Sequence, residues 1–191
     1  MKKLLRTISL LSILFLSFSC SYTNQKVDLR LSLAKNHHKS NSNNEVRSDV
    51  KIKIIDDRED KNLGIKEFGD IKITISSDRN LVRLLQREVN DSLDLDMCNK
   101  DYKKILELHI IELDYKAKRA FFVGSSEGTA KIQVRLLNSS NKLIFNKNYE
   151  FSLSQKHFIS SLKSTDKAII EKLIDGVFAE ILTDKEIMKV L

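Results

Sequence analysis

Gly124-Ser125-Ser126-Glu127-Gly128 is the stretch of this chain that fits an enzyme motif, the G-x-S-x-G of a hydrolase nucleophile elbow. In that motif Ser126 would attack an acyl carbon while a histidine takes its proton and an acid orients the histidine. The elbow needs a helix directly after the serine, with the acid and then the histidine later in the chain. Here the next residues, TAKIQVRLL, alternate with the period of a strand, and Glu150 is the only acid between them and His157. A glycine-rich turn between strands accounts for the same letters, and no catalytic residue is expected.

The other reactive side chains are scattered. Asp94 and Asp96 in LDLDMC resemble a carboxylate pair but fall near a helix end, where solvated acids are ordinary. His37 and His38 stand in a polar stretch. A metal pair would need further ligands at suitable spacing, and His109 and His157 lie far away on separate elements, so neither a metal nor another cofactor is expected. Cys98 has no neighbouring Cys or His and reads as a buried or inert thiol. Asp57, Arg58 and Gly64 form a candidate structural motif, in which the charged residues pair or anchor the connection to Gly64.

Cys20 is different, because of what precedes it. Lys2, Lys3 and Arg6 lead into an apolar run from Ile8 to Phe18 broken only by serines. This is the layout of a secretory signal, whose apolar region of roughly 7–15 residues is too short to span a bilayer core. Cys20 follows at the expected cut. It has three possible uses: a disulfide to Cys98 in an oxidising compartment, a loose thiol in an uncleaved tail, or lipidation after cleavage. Residues Leu16 to Ser19, with a small serine before the cysteine, resemble a bacterial lipobox, and lipidation is the preferred reading. Two or more acyl chains hold a protein stably at a membrane, each buried CH₂ contributing about 0.8 kcal/mol.

The formal charge of the whole chain is +7; removing the three basic residues of the signal leaves +4. That is a mild lean toward anionic surfaces, without the clustered Lys, Arg and aromatic residues of a nucleic-acid site. No nucleic-acid partner is expected. There is no Pro and no Trp, and only five Gly, so Asn, Ser and Asp must shape the loops.

The elements that position these residues follow from periodicity. VDLRLSL, residues 27–33, alternates as a strand, and the polar run 35–48 reads as a linker. Val50, Ile52 and Ile54 make one strand and Ile71, Ile73 and Ile75 another, with a connection punctuated by Gly64 and Gly69 between them. Residues 76–93 change to a helical stripe of Leu81, Leu85, Val89 and Leu93, capped by Ser76 or Ser77 with Asp78 in the first turn. Leu106, Leu108 and Ile110 are followed on the opposite parity by Leu113, Tyr115 and Ala117, which places a bulge or strong twist near Ile111. TAKIQVRLL and KLIFNKNYEFSL form an antiparallel hairpin across NSSN, and residues 164–184 close the chain as an amphipathic helix. The expected fold is α+β: a two-layer sandwich of a mostly antiparallel sheet with two amphipathic helices on one face. The expected organisation is a signal over 1–19, a lipidated tether with a short strand and polar linker over 20–49, and a single domain over 50–191.

The lipobox-like start, VKIKIIDDRED followed by NLG, the helix SSDRNLVRLLQREVNDSL and the final helix together resemble the YajG family of small bacterial lipoproteins. Asp57, Arg58 and Gly64 match that family's Asp-Arg and downstream Gly, and DRNLVRLLQ its first-helix pattern. The resemblance implies a lipoprotein of the cell envelope and supplies no catalytic motif. The expectation is therefore a non-enzymatic domain on the periplasmic side, lipid-anchored through Cys20 at the outer membrane, contacting another envelope protein or an anionic envelope component. Lys51, Lys53, Lys131 and Arg135, on the solvated sheet face, are the candidate interaction surface. The alternative is a module that binds a small ligand or a polyanion such as lipid or lipopolysaccharide, which would require an apolar pocket between helices and sheet or salt-sensitive binding.

Overall fold

The computed structural model describes residues 24–33, 49–93, 102–119, 123–158 and 162–190, of which 157–158 and 162–164 by backbone alone. Seven strands form one sheet: β1 (Asn24–Val27), β2 (Val50–Asp56), β3 (Gly64–Phe68), β4 (Ile71–Ser77), β5 (Lys104–Arg119), β6 (Val123–Asn138) and β7 (Leu143–Phe158). The helices are α1 (Leu81–Ser92), α2 (Leu162–Thr183) and the short α3 (Lys185–Val190). The class is α+β.

β5 is the axis of the sheet. One of its edges carries β6 along its whole length, while the other is shared by β2 in the first half and β3 in the second, both parallel to it. The division falls at a bulge between Ile110 and Glu112. The extra residue, Ile111, turns outward, so Leu106, Leu108 and Ile110 and then Leu113, Tyr115 and Ala117 all face the core. The parity change in the sequence thus corresponds to the bulge expected from it. β4 pairs with β3 antiparallel and with β1 parallel, and β6–β7 is the expected hairpin. In its turn Asn141 adopts a positive φ of 58° and the Asn138 side chain accepts from the backbone N–H of Ser140 and Lys142.

One core cluster unites the inward side chains of the sheet with Leu81, Leu84, Leu85 and Val89 of α1 and with Ile170, Leu173, Val177 and Phe178 of α2. α1 lies against β2 and α2 against β6 and β7. Asp184 ties the end of the chain to β7: its carboxylate accepts from Lys147 Nζ and Tyr149 OH, both at 2.7 Å, while its other oxygen caps α3.

Several expectations need correction. The sheet is mixed, because three of its six pairings (β1–β4, β2–β5, β3–β5) are parallel, although the two longest, β5–β6 and β6–β7, are antiparallel. The connection between β2 and β4 contains β3, hidden in the sequence because its inward positions are Gly64, Lys66 and Phe68 rather than an aliphatic series. In the 27–33 segment only Val27 belongs to a strand. Leu29, Leu31 and Leu33 are buried in alternation, but the intervening N–H groups of Arg30 and Ser32 bond to the Glu171 and Asp175 carboxylates of α2 instead of a neighbouring strand. Residues 24–33 therefore join the body of the sheet and core. Helix α1 is capped by Asn80, whose side chain accepts from Arg83 N–H at 2.9 Å; Ser76 and Ser77 end β4, and the first turn carries no acid. The Gly124–Gly128 segment is not a turn but the interior of β6.

Candidate functional site

Ser126 occupies an inward position of β6 and is 1% exposed. Its hydroxyl lies 3.0 Å from Tyr115 OH. Gln155 is its partner in the ladder, His157 pairs two rungs away with Gly124, and Glu150 is on the opposite face beside Lys131. No helix follows the serine and no elbow exposes it, so the hydrolase geometry is absent. Small residues stand here for packing. A Cβ at Gly128 would come within 2.4 Å of Leu173 Cδ1 of α2 and 3.0 Å of the Asp114 carbonyl.

Tyr115 and Ser126 belong to a buried polar cluster that the sequence reading missed. Asp166, in the first part of α2, has no exposed surface and receives Tyr115 OH at 2.6 Å, Arg119 at 2.6 Å and Lys66 Nζ at 2.5 Å. Lys66 also donates to Gln25 Oε1 at 2.9 Å. One carboxylate thereby joins β1, β3, β5 and α2. Burial, and then the Asp166 carboxylate, push the Tyr115 phenol well above its ordinary range, so it acts as a neutral donor. The cluster is sealed and the Asp166 carboxylate is spent on its three donors, which makes it an organiser of the fold, although Gln25 Nε2 is buried there without a hydrogen-bond partner among the described residues. An inward lysine on β3 and an inward tyrosine on β5 were its only sequence signals, and neither names its partner.

Asp57, Arg58 and Gly64 are brought near one another with changed partners. Arg58, 6% exposed, grips Asp56 with two nitrogens at 2.8 and 2.9 Å and donates to the carbonyls of Asn62 and Lys61. Burial alone would raise the Asp56 carboxyl; the bonds and charge of Arg58 outweigh it and hold the group below its ordinary value. Arg58 thus ties the end of β2 to the loop before Gly64. Gly64, at φ 153°, lies so close to β5 that a Cβ would sit 1.9 Å from the Tyr115 carbonyl oxygen. Asp57 points away from this knot to His109 Nδ1 at 2.6 Å.

The four basic candidates lie on the outward positions of β2 and β6, and each is engaged. Lys53, Glu107 and Arg135 face one another across three adjacent strands, with Glu107 3.1 Å from Lys53 and 3.6 Å from Arg135. His109 links Glu107 to Asp57. Burial tends to raise the Glu107 carboxyl, but the donors Lys53 and His109 pull it below its usual range. Lys131 lies 3.0 Å from Glu150 and 3.9 Å from Glu112. Lys51 Nζ sits 4.8 Å from the centre of the Tyr102 ring. Around these four residues the face is a mosaic of paired charges rather than a cationic field. Beyond the bulge it dips into a polar hollow of about 450 Å³ bordered by Glu112, Asp114, Lys116, Glu127, Thr129 and Ser152.

Between the helices and the sheet the gap lined by Leu85, Ile110, Ile132, Ile174 and Phe178 measures about 10 Å³, room for one water at most. Among the described residues no three His, Cys, Asp or Glu converge as metal ligands, and no helix is long and apolar enough to cross a membrane. Cys20, Cys98, His37, His38, Asp94 and Asp96 lie outside the described residues.

No match was found among curated protein sequences. Among solved structures, protein XCC0632 from Xanthomonas campestris, of the DUF330 family, is similar at 12% identity with a TM-score of 0.47, over 88% of this chain and 95% of that one. Lipoprotein GNA1162 from Neisseria meningitidis is similar at 12% identity with a TM-score of 0.29, over 72% of this chain and 99% of that one. The family described as "Uncharacterized lipoprotein" (Lipoprotein_16) matches residues 35–191, which takes in every element from β2 to α3. The chain belongs to this family, the YajG-type lipoproteins.

Proposed function

We propose that the protein is a lipid-anchored accessory domain of the cell envelope, held through Cys20 on the periplasmic side of the outer membrane, and that it acts by contact rather than catalysis. Its working surface is the outward face of β2, β5, β6 and β7. The observation that carries this reading is the mosaic on that face, in a chain whose family is one of lipoproteins. Lys53, Glu107, His109, Asp57 and Arg135 are oriented by one another before any partner arrives, which lowers the ordering cost of an interface. Paired charges of both signs also favour a protein partner of matching pattern over a uniform polyanion. The small-ligand alternative is less favoured, since the apolar gap under Leu85 and Phe178 measures only about 10 Å³.

The test is in-membrane crosslinking of the wild type beside a variant carrying Lys51→Glu, Lys53→Glu, Lys131→Glu and Arg135→Glu. Its folding is checked first by thermal melting. The reading expects a crosslinked envelope protein that is lost in the variant. An identical set of crosslinks in both proteins rejects this face as the interaction surface.

A further inference from the structure

Apolar side chains are exposed at both ends of the sheet, Leu143 and Ile144 beside the β6–β7 turn and Phe68, Ile71 and Val123 at the other end. At the last rung, Ile71 of β4 pairs with Phe68 of β3, which pairs with Arg119 of β5 and through it with Gly124 of β6; Val123 is one residue further out. Phe68, Ile71 and Val123 are 44%, 52% and 47% exposed. Phe68 and Ile71 have the helix-side parity of their strands and Val123 the outer parity of β6, so with neighbouring strands about 4.8 Å apart the three edge the sheet end from both faces over roughly 15 Å.

One rung back, on the outward face, Lys72, Glu67, Lys118, Ser125 and Lys156 follow one another across five strands. Lys72 is 3.5 Å from Glu67. Lys118 and Lys156 are exposed and have no acidic partner among the described residues. Apolar side chains at an edge with lysines just behind them are the arrangement of an interfacial membrane contact, in which the first enter the headgroup boundary and the second meet anionic lipid. Asp70, in the turn beside Ile71, keeps such a contact at headgroup depth, since a carboxylate is costly in hydrocarbon.

The start of β1 decides which end faces the bilayer. Asn24 is on the rung of Thr74, Ile65, Lys116 and Glu127, and β1 runs parallel to β4, away from the Phe68–Ile71 end. Four residue steps separate Cys20 from Asn24, so the sulfur is held within about 14 Å of β1 even at full extension. Ile71 is three residues from Thr74, about 10 Å along β4, whereas the β6–β7 turn is eleven residues from Glu127, about 36 Å in the other direction.

We infer that the Phe68, Ile71 and Val123 end of the sheet, backed by Lys72, Lys118 and Lys156, is a second membrane contact that docks against anionic phospholipid and stands the domain upright beside its acylated Cys20. This rests on the lipid-anchor reading above. It turns a single lipid anchor into a two-point attachment and leaves the β6–β7 turn and the charged outer face projecting from the membrane.

The chain has no Trp, so single tryptophans report cleanly. Full-length protein carrying Ile71→Trp, or Leu143→Trp at the opposite end as control, is reconstituted into vesicles of phosphatidylethanolamine and phosphatidylglycerol with brominated acyl chains. Intact mass is measured on the same samples, and Val123→Trp serves as a second reporter should Ile71→Trp not fold. The expected result is a blue shift and at least a halving of emission at position 71, with water-like emission at 143. Acylated protein with equal, water-like emission at both positions overturns the contact and leaves the anchor standing. If the mass shows no acyl chain, the anchor reading falls, and the same contrast with excess vesicles still decides: quenching at 71 alone upholds the contact, and equal emission overturns it.

Discussion

Gly64 shows how a single residue holds the sheet together. β3 joins β5 at Tyr115, and a Cβ at 64 would be driven into the Tyr115 carbonyl, so Gly64→Ala must part the strands. Overpacking against backbone costs about 1–3 kcal/mol and sometimes more, and urea unfolding should show a loss at or above the top of that range; a change under about 0.5 kcal/mol contradicts the close approach. Asp56 gives a pH signature. Its folded pKa lies below the ordinary 3.8, so its contribution to stability is complete above that value and is lost as pH falls through the lower folded pKa. The stability gap between wild type and Asp56→Asn should be constant from about pH 5 to 7 and close below pH 3.8; a gap that widens on acidification contradicts the Arg58 pairing. The sequence placed Asp57, Arg58 and Gly64 together but not their partners: the order Asp56-Asp57-Arg58 does not reveal that Asp56 turns to Arg58 and Asp57 crosses to His109. Asp166 was invisible because its partners come from strands far away in the chain.

At the scale of elements, α2 lies close to the hairpin because small residues face it. A Cβ at Gly176 would approach the Phe151 ring at 2.6 Å, and one at Gly128 would meet Leu173. Alanine normally gains about 1 kcal/mol over glycine inside a helix, whereas the ring contact costs about 1–3 kcal/mol. Gly176→Ala should therefore lower stability by up to about 2 kcal/mol in chemical denaturation, and a stabilised variant would show that α2 sits further from β7. Removing the cap by Asn80→Ala should cost about 1 kcal/mol; the same loss at Ser77→Ala, with none at Asn80, would move the start of α1 upstream. The bulge in β5, the β6–β7 hairpin and the long helices were readable because their apolar positions repeat at a fixed period. β3 and the limits of β1 were not. β3 turns a lysine inward and neutralises it with a carboxylate from a distant helix, and residues 28–33 keep a strand's alternation while bonding to helix side chains.

For the whole molecule, the α+β class and the family were legible, since both rest on the order and spacing of many elements. The strand pairing was not, because the choice of parallel neighbours for β5 depends on contacts that no local pattern encodes. The Phe68, Ile71 and Val123 end could not be seen in sequence either, as three ordinary apolar residues on different strands become a patch only when the sheet brings them to one edge. The central claim is that this fold is presented from a membrane by Cys20. It is tested most directly by the intact mass and detergent partition of the mature protein beside Cys20→Ser. The account predicts a wild-type mass that begins at Cys20 and includes acyl chains, with partition into detergent, both lost in the variant. A wild-type protein with an unmodified Cys20 that stays in the aqueous phase would contradict it.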